Sequence, residues 1–219
     1  ESTLGEGIFY DCPLKTIYLG RQIVYENTQR FGYSPFYKKS GLKSVTVGRN
    51  VTSIKNNTFE GCKSLTDLRI EDSSKALDLG YNLYNVDDFG KGLFYDCPLE
   101  TLYLGRDITY KTTYNYGISP FYDKSNLTTI TIGDSVTNII DQTFRYCDVI
   151  NNLTLGRNLL ELGKEAFYGS DIKFILNYSN IFIPSYDYYY NAEKVINAPN
   201  GIVVGDYIFS TENGKHTLS

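Results

Sequence analysis

The chain repeats itself over a long distance, and this repetition constrains its fold more than any other feature. Residues 7–21, GIFYDCPLKTIYLGR, return as residues 92–106, GLFYDCPLETLYLGR. The offset of 85 positions holds without a gap as far as the pair Cys62 and Cys147, and about half of the paired positions are identical. Such self-similarity indicates an array of supersecondary units, none of which buries its apolar side alone.

A shorter unit recurs within each block. It reads L-x-x-I-x-L-G, followed by a variable stretch and then by F-x-x-C or a related sequence. Successive units begin 28, 23, 34, 28, 23 and 22 residues apart, and a period in the twenties is typical of leucine-rich repeats. The alternating apolar positions predict short strands that pair in parallel from turn to turn and point one face inward. Seven strands are predicted, with apolar positions Leu14/Ile17/Leu19, Leu42/Val45/Val47, Leu65/Leu68/Ile70, Leu99/Leu102/Leu104, Leu127/Ile130/Ile132, Ile150/Leu153/Leu155 and Ile172/Ile175.

The stretches between these strands predict a return path of short strands, turns or a single helical turn. They are too short and too rich in β-branched residues for a long helix. Phe59 and Phe144 are predicted to be buried beneath a neighbouring strand, and the alternation within residues 76–84 predicts an extra strand on the convex side. The expected fold is a mostly β leucine-rich-repeat solenoid, a right-handed superhelix of about seven turns with a parallel concave sheet. Insertions are predicted in the return path at residues 25–32, 71–90 and 110–117.

Residues 48–65 carry the most specific pattern of the chain, I-G-x-x-V-x-x-I-x-x-x-x-F-x-x-C-x-x-L. This pattern resembles the BspA-like, or Treponema-pallidum-type, leucine-rich repeats, and the resemblance covers roughly residues 5–177. It departs from the family at Lys39 and Lys124, which stand where Cys62 and Cys147 are found, and at residues 169–170. The resemblance implies a secreted or cell-surface bacterial protein that adheres to host matrix proteins, host cells or other bacteria.

Composition and charge exclude several other classes of function. A formal net charge of -4 without a basic cluster offers no nucleic-acid footprint, and no apolar run approaches the ~20 residues of a membrane span. No catalytic or phosphate-binding motif is present, so we expect neither enzyme activity nor a cofactor. We expect a monomer that is part of a longer chain, with a solenoid over residues 1–179 and a terminal turn, cap or junction over residues 180–219.

The four cysteines, Cys12, Cys62, Cys97 and Cys147, all occupy one position of the repeat. Their spacing does not suit a metal site, and the only histidine, His216, lies far from them in the sequence, which argues against a catalytic thiol. We expect four buried structural thiols that pack as small hydrophobic groups in a ladder. The alternative is a disulfide between neighbouring turns that joins Cys62 to Cys97.

The concave sheet face is the predicted binding surface. Most of its residues are small and polar, but Tyr18, Asp67, Arg69 and Tyr103 protrude, and Tyr and Arg are enriched at interface hot spots. The plainer interpretation is that Thr and Tyr stand there because they favour strands. The acidic insertion at residues 71–90 is the rival surface, although its carboxylates are predicted to be solvated loop charges.

The kind of partner stays open at this point. Protein binding, carbohydrate binding through exposed tyrosines, and a spacer role for another domain are the three hypotheses. Tyrosines gathered in one groove would favour sugars, a broad flat patch would favour a protein, and singly scattered tyrosines would favour a spacer.

Overall fold

The computed structural model describes residue 9 and residues 12–25, 34–55, 57–81, 92–111, 119–187, 190–199, 201–204, 207–212 and 215–218. These residues form strands and turns and contain no helix. The strands are β1 Thr16–Leu19, β2 Ser44–Val47, β3 Asp67–Ile70, β4 Leu77–Tyr81, β5 Thr101–Leu104, β6 Ile108–Lys111, β7 Thr129–Ile132, β8 Asn138–Ile139, β9 Val149–Leu155, β10 Glu161–Leu162, β11 Asp171–Asn177, β12 Tyr186–Asp187, β13 Tyr190–Asn197, β14 Gly201–Val204, β15 Tyr207–Glu212 and β16 Lys215–Leu218.

The main sheet confirms the predicted solenoid. Its parallel strands follow one another in the order β1-β2-β3-β5-β7-β9-β11-β13, and β12 pairs antiparallel with β13 at the edge. Equivalent repeat positions face each other, so that Val45 pairs with Leu68 and Leu68 with Leu102. All seven predicted strands are present, and their inward side chains form one continuous core.

The return path carries short strands and turns. Two small parallel sheets, β4 with β6 and β8 with β10, lie there, and an isolated bridge joins Ser53 to Asp78. The extra strand predicted within residues 76–84 is β4, while the rest of that insertion, residues 82–90, lies outside the described residues. In the described chain, turns take the place of the predicted alternative of a helical turn.

A stack of phenylalanine rings runs through the core, parallel to the direction in which the turns are stacked. Neighbouring rings are 5.2 to 5.9 Å apart between centroids and nearly parallel. Phe59 and Phe144 are completely buried in this stack, as predicted. Its members are Phe9, Phe36, Phe59, Phe94, Phe121, Phe144 and Phe167.

From Phe36 onward, the second residue after each of these phenylalanines adopts a left-handed backbone conformation. Both glycines and larger residues do so, with φ values from 53° to 73° at Lys38, Gly61, Asp96, Asp123, Tyr146 and Gly169. The conformation aims the backbone N–H at the next turn: that of Asp123 donates to the carbonyl of Arg145, and that of Tyr146 donates to the carbonyl of Tyr168. These hydrogen bonds hold neighbouring turns together on the side away from the main sheet.

We predict that Gly169→Ala lowers the free energy of unfolding by about 1–3 kcal/mol, because an added Cβ would lie 2.3 Å from Cδ1 of Tyr146 and φ is +73°. Urea unfolding followed by circular dichroism would measure the change. Asp123→Ala is the matched control, since Asp123 already carries a Cβ at φ 53°, and its cost should stay below about 1 kcal/mol. Equal costs for the two variants would contradict this account.

The last turns are tied together by hydrogen bonds between side-chain amides. Asn177 stands where the repeat predicts an apolar residue, yet it is buried and donates from Nδ2 to the carbonyl of Ile181 and to Oδ1 of Asn197, its partner in β13. The main sheet thus adds an eighth parallel strand after residue 179. An antiparallel sheet of β14, β15 and β16 follows. The division of the chain into 1–179 and 180–219 stays a prediction.

Candidate functional site

We call the side of the main sheet that points away from the core the outer face, and its side chains fall into two rows. One row runs through the first residue of each short strand, and the other runs through the third. The rows are Thr16–Ser44–Asp67–Thr101–Thr129 and Tyr18–Thr46–Arg69–Tyr103–Thr131. Because neighbouring strands are ~4.8 Å apart, Arg69 and Tyr103 are adjacent, whereas Tyr18 and Tyr103 are separated by about 14 Å.

Asp67 is held in its ionised form by two hydroxyl groups. Oδ1 accepts a hydrogen bond of 2.6 Å from Thr101, the next residue in its row, and Oδ2 accepts one of 2.7 Å from Thr66. The bonds from Thr101 and Thr66 lower the pKa of the Asp67 carboxyl group. The carboxylate is therefore charged and fixed in orientation before any partner arrives.

Arg69 and Tyr103 form a compact unit with Asp72. The guanidinium of Arg69 lies over the ring of Tyr103, 3.8 Å from its centroid, and Nη2 is 4.0 Å from a carboxylate oxygen of Asp72. The hydroxyl of Tyr103 donates to the same carboxylate at 2.9 Å. Burial and, after it, the bond to Asp72 raise the pKa of Tyr103, so the phenol stays protonated as a donor.

The prediction that the carboxylates of residues 71 and 72 are solvated loop charges is wrong. Asp72 anchors Tyr103, and Glu71 accepts hydrogen bonds from the backbone N–H of Arg49 at 3.0 Å and from the hydroxyl of Tyr18 at 3.4 Å. The signal that could have found them is their position directly after β3, because β1, β2, β5, β7 and β9 are each followed by Gly and then by Arg or Asp. The insertion thus begins at the rim of the outer face.

The structure therefore brings together three of the four predicted binding residues. Asp67, Arg69 and Tyr103 line a shallow depression of about 280 Å³, and together with Asp72 they form what we call the outer patch. Tyr18 stands apart from it, 62% exposed. The floor and sides of the depression also include Ser44, Val45, Thr46, Leu68, Thr101, Leu102, Thr129 and Thr131.

The predicted cysteine ladder is a ladder of hydrogen-bond donors. The buried thiols of Cys62, Cys97 and Cys147 donate to the carbonyl of the stacked phenylalanine in the preceding turn, at 3.1 to 3.2 Å. The acceptors are the carbonyls of Phe36, Phe59 and Phe121. The repeat thus selects a donor at this position and not only a small apolar group.

The residues that replace cysteine in the ladder keep the same bond. Lys39 donates to the carbonyl of Phe9, Lys124 to that of Phe94 at 2.6 Å, and Ser170 to that of Phe144 at 3.3 Å. Desolvation lowers the pKa of Lys124. Both long and short side chains serve here because each has a polar hydrogen that reaches the acceptor.

Cys12 contradicts the prediction of four buried thiols, because its side chain is exposed. In the described part of the chain no earlier turn lies against it, so there is no neighbouring phenylalanine carbonyl to accept its hydrogen. Within the described residues no three His, Cys, Asp or Glu side chains are grouped to hold a metal ion, and no helix is long and apolar enough to cross a membrane.

Residues 2–84 and 115–217 match the family described as BspA type leucine rich repeat region, in six copies. The chain belongs to this family. No curated protein and no solved structure matches it. BspA-type repeats are protein-interaction modules and generally not enzymes, and they are typical of surface or secreted bacterial proteins.

Proposed function

We propose that this chain is a non-enzymatic adhesion module that binds a protein partner through the outer patch. The partner is a host matrix protein, a host-cell protein or a protein of another bacterium, and the module acts in the secreted or cell-surface state. The observation that supports this proposal is the outer patch, where Arg69, Tyr103 and a charged carboxylate are surrounded by small hydroxyl side chains.

The outer patch has the properties of an interface hot spot. Arg and Tyr are the residue types in which binding energy concentrates, and small polar neighbours leave them accessible. The hydrogen bonds of Asp67 and Tyr103 hold these side chains in one conformation, which lowers the entropy lost on binding.

A protein partner suits this surface better than a sugar does. The guanidinium of Arg69 covers one face of the Tyr103 ring, so that face is closed to stacking against a sugar ring. The depression of about 280 Å³ is also shallow and open, unlike the concave sites that enclose most of a small ligand's surface. Tyr18 is exposed and separated from Tyr103, and a single scattered tyrosine of this kind favours the spacer alternative.

The rival surface is part of the same region. Glu71 and Asp72 belong to the insertion, yet they hold the hydroxyl groups of Tyr18 and Tyr103. A partner on the outer patch would therefore contact the start of the insertion, while residues 82–90 can be tested independently.

We predict that Tyr18→Ala/Tyr103→Ala weakens partner binding by at least about 30-fold, or ~2 kcal/mol. The partner would first be found by biolayer interferometry on panels of matrix proteins and glycans. A variant with residues 82–90 replaced by a short Gly-Ser linker keeps Glu71, Asp72 and β4, and should bind normally. Leu160→Ala, a 77% exposed position on the return path, is the control.

The pattern of affinity losses among these variants distinguishes the candidate binding surfaces and kinds of ligand. Unchanged affinity in the double tyrosine variant would remove the outer face from consideration, and loss only in the linker variant would favour the insertion. Binding to glycans alone would support the carbohydrate alternative. Absence of any ligand would favour a spacer.

A further inference from the structure

Two of the buried thiols lie in directly adjacent turns. Cys62 precedes β3, Cys97 precedes β5, and β3 pairs with β5 in the main sheet. Elsewhere in the described ladder a lysine separates the cysteines, since Lys39 follows Cys12 and Lys124 lies between Cys97 and Cys147. The pair in adjacent turns therefore stands out by its position.

The spacing of these two turns matches that of a disulfide. Each cysteine comes three residues after its stacked phenylalanine, and the rings of Phe59 and Phe94 are 5.9 Å apart and 3° from parallel. Disulfide-bonded cysteines usually have Cα atoms about 5.5–6 Å apart. The carbonyl of Phe59 also accepts both the backbone N–H of Cys62 at 3.2 Å and the thiol of Cys97 at 3.1 Å. One oxygen atom thus brings the two residues together.

The two thiols also affect each other's acidity. The neighbouring Cys97 thiol, together with Lys39, lowers the pKa of Cys62, whereas the neighbouring Cys62 and burial raise the pKa of Cys97. A thiol with a lowered pKa supplies the thiolate that begins exchange. Cys147 lacks a cysteine in either adjacent described turn, and burial raises its pKa to about 12.

We propose that Cys62 and Cys97 are a modification site, at which thiol–disulfide exchange with a low-molecular-weight disulfide closes a reversible bond between two turns. When the two turns open locally and admit the small disulfide, the Cys62 thiolate, which is buried in the folded chain, attacks one of its sulfurs. The attack releases one thiolate, which takes the proton of Cys97. The Cys97 thiolate then attacks the Cys62 sulfur and releases the second thiolate, which takes up a proton from water. The two cysteines lose two electrons, and the small disulfide is reduced to two thiols.

The bond would lie directly before the strands of the outer patch. Asp67 and Arg69 are on β3, and Tyr103 is on β5, so the bond would tie together the two strands that carry them. Oxidising surroundings outside the cell favour such bonds. The inference stands on the two turns alone and does not depend on the proposed function.

The test uses the full chain with Cys12→Ser, which removes the exposed thiol. The folded, reduced protein is incubated with 2-hydroxyethyl disulfide, freed of that reagent, unfolded and alkylated with iodoacetamide, digested and analysed by mass spectrometry. We expect a peptide that links Cys62 to Cys97, about 2 Da lighter than the two reduced peptides together, with Cys147 alkylated. Dithiothreitol should reverse the change, and oxidation should raise the unfolding temperature by roughly 5–10 °C.

Serine variants provide matched controls that keep the ladder bond, because Ser170 already makes it. In the same background, Cys62→Ser or Cys97→Ser should abolish the linked peptide and the rise in unfolding temperature, and Cys147→Ser should leave both unchanged. A linkage that involves Cys147, mixed disulfides that never resolve, or a Cys62–Cys97 linkage formed only in denaturant would overturn the proposal. So would complete alkylation of all three thiols after native incubation.

Discussion

Replacing Arg106 with methionine is expected to lower the free energy of unfolding by about 3–5 kcal/mol. Arg106 follows β5, and its side chain is completely buried. Its guanidinium donates to the backbone carbonyls of Gly48 and Val51, each at 2.9 Å, and to that of Arg49 at 3.2 Å. These acceptors follow β2, so the side chain crosses the turn of β3 to reach them. Methionine fills similar space but leaves buried carbonyls without this donor.

Arg49→Met is the matched control for this prediction. The Arg49 side chain is 71% exposed, with an ion pair of 4.0 Å to Glu71, and its loss should cost less than about 1 kcal/mol. Arg106→Lys should recover only part of the stability, because one ammonium group cannot reproduce the planar fork. Urea unfolding of the three variants would measure these differences, and a loss for Arg106→Met no larger than for Arg49→Met would contradict a structural role.

Phe144→Ala is expected to cost about 3–5 kcal/mol through the cavity it leaves in the ring stack. The Phe144 ring lies 5.6 Å from that of Phe121 and 5.2 Å from that of Phe167, so both neighbouring turns lose a contact. Since solenoid turns contact only their neighbours, hydrogen exchange should rise most in β7, β9 and β11.

Phe182→Ala is the control that distinguishes the loss of core packing from the loss of an aromatic side chain alone. Phe182 is 76% exposed, and its replacement should change the free energy of unfolding by less than about 0.5 kcal/mol. Exchange that rises equally from β1 to β13 in Phe144→Ala would argue against coupling between nearest neighbours.

Much of the fold could be predicted because the repeat constrains each turn in the same way. Alternating apolar residues indicated the strands. The large apolar side chains of Phe59 and Phe144 were predicted to lie in the core, and they do. Contacts that cross between turns were harder to predict, because they depend on which side chain reaches which carbonyl. Arg106 follows a glycine just as the exposed Arg49 does, although Arg106 is buried. In the sequence, the surroundings of Arg106 differ by the longer connection after β3, the strand of the preceding turn.

The candidate site was predicted in part for the same reason. Position in the repeat placed Asp67, Arg69 and Tyr103 on one face, since strand register follows from the repeat. The roles of Glu71 and Asp72 depend on an insertion that is longer than the predicted insertions of other turns. Cys12 shares its motif with Cys97, yet its burial depends on a neighbouring turn and not on its own sequence.

The most direct test of the outer patch compares two arginines with similar surroundings. Arg69 has an ion pair with Asp72 and lies over Tyr103, and Arg157 has an ion pair with Asp134 and lies over Tyr178. Their side chains are 50% and 51% exposed, but Arg157 is outside the outer patch.

The dissociation constant of the identified protein partner would be measured for Arg69→Ala and Arg157→Ala by biolayer interferometry. Binding through the outer patch predicts that Arg69→Ala raises the dissociation constant at least about 30-fold, while Arg157→Ala changes it less than about twofold. Equal dissociation constants for the two variants would contradict the outer patch as the binding surface.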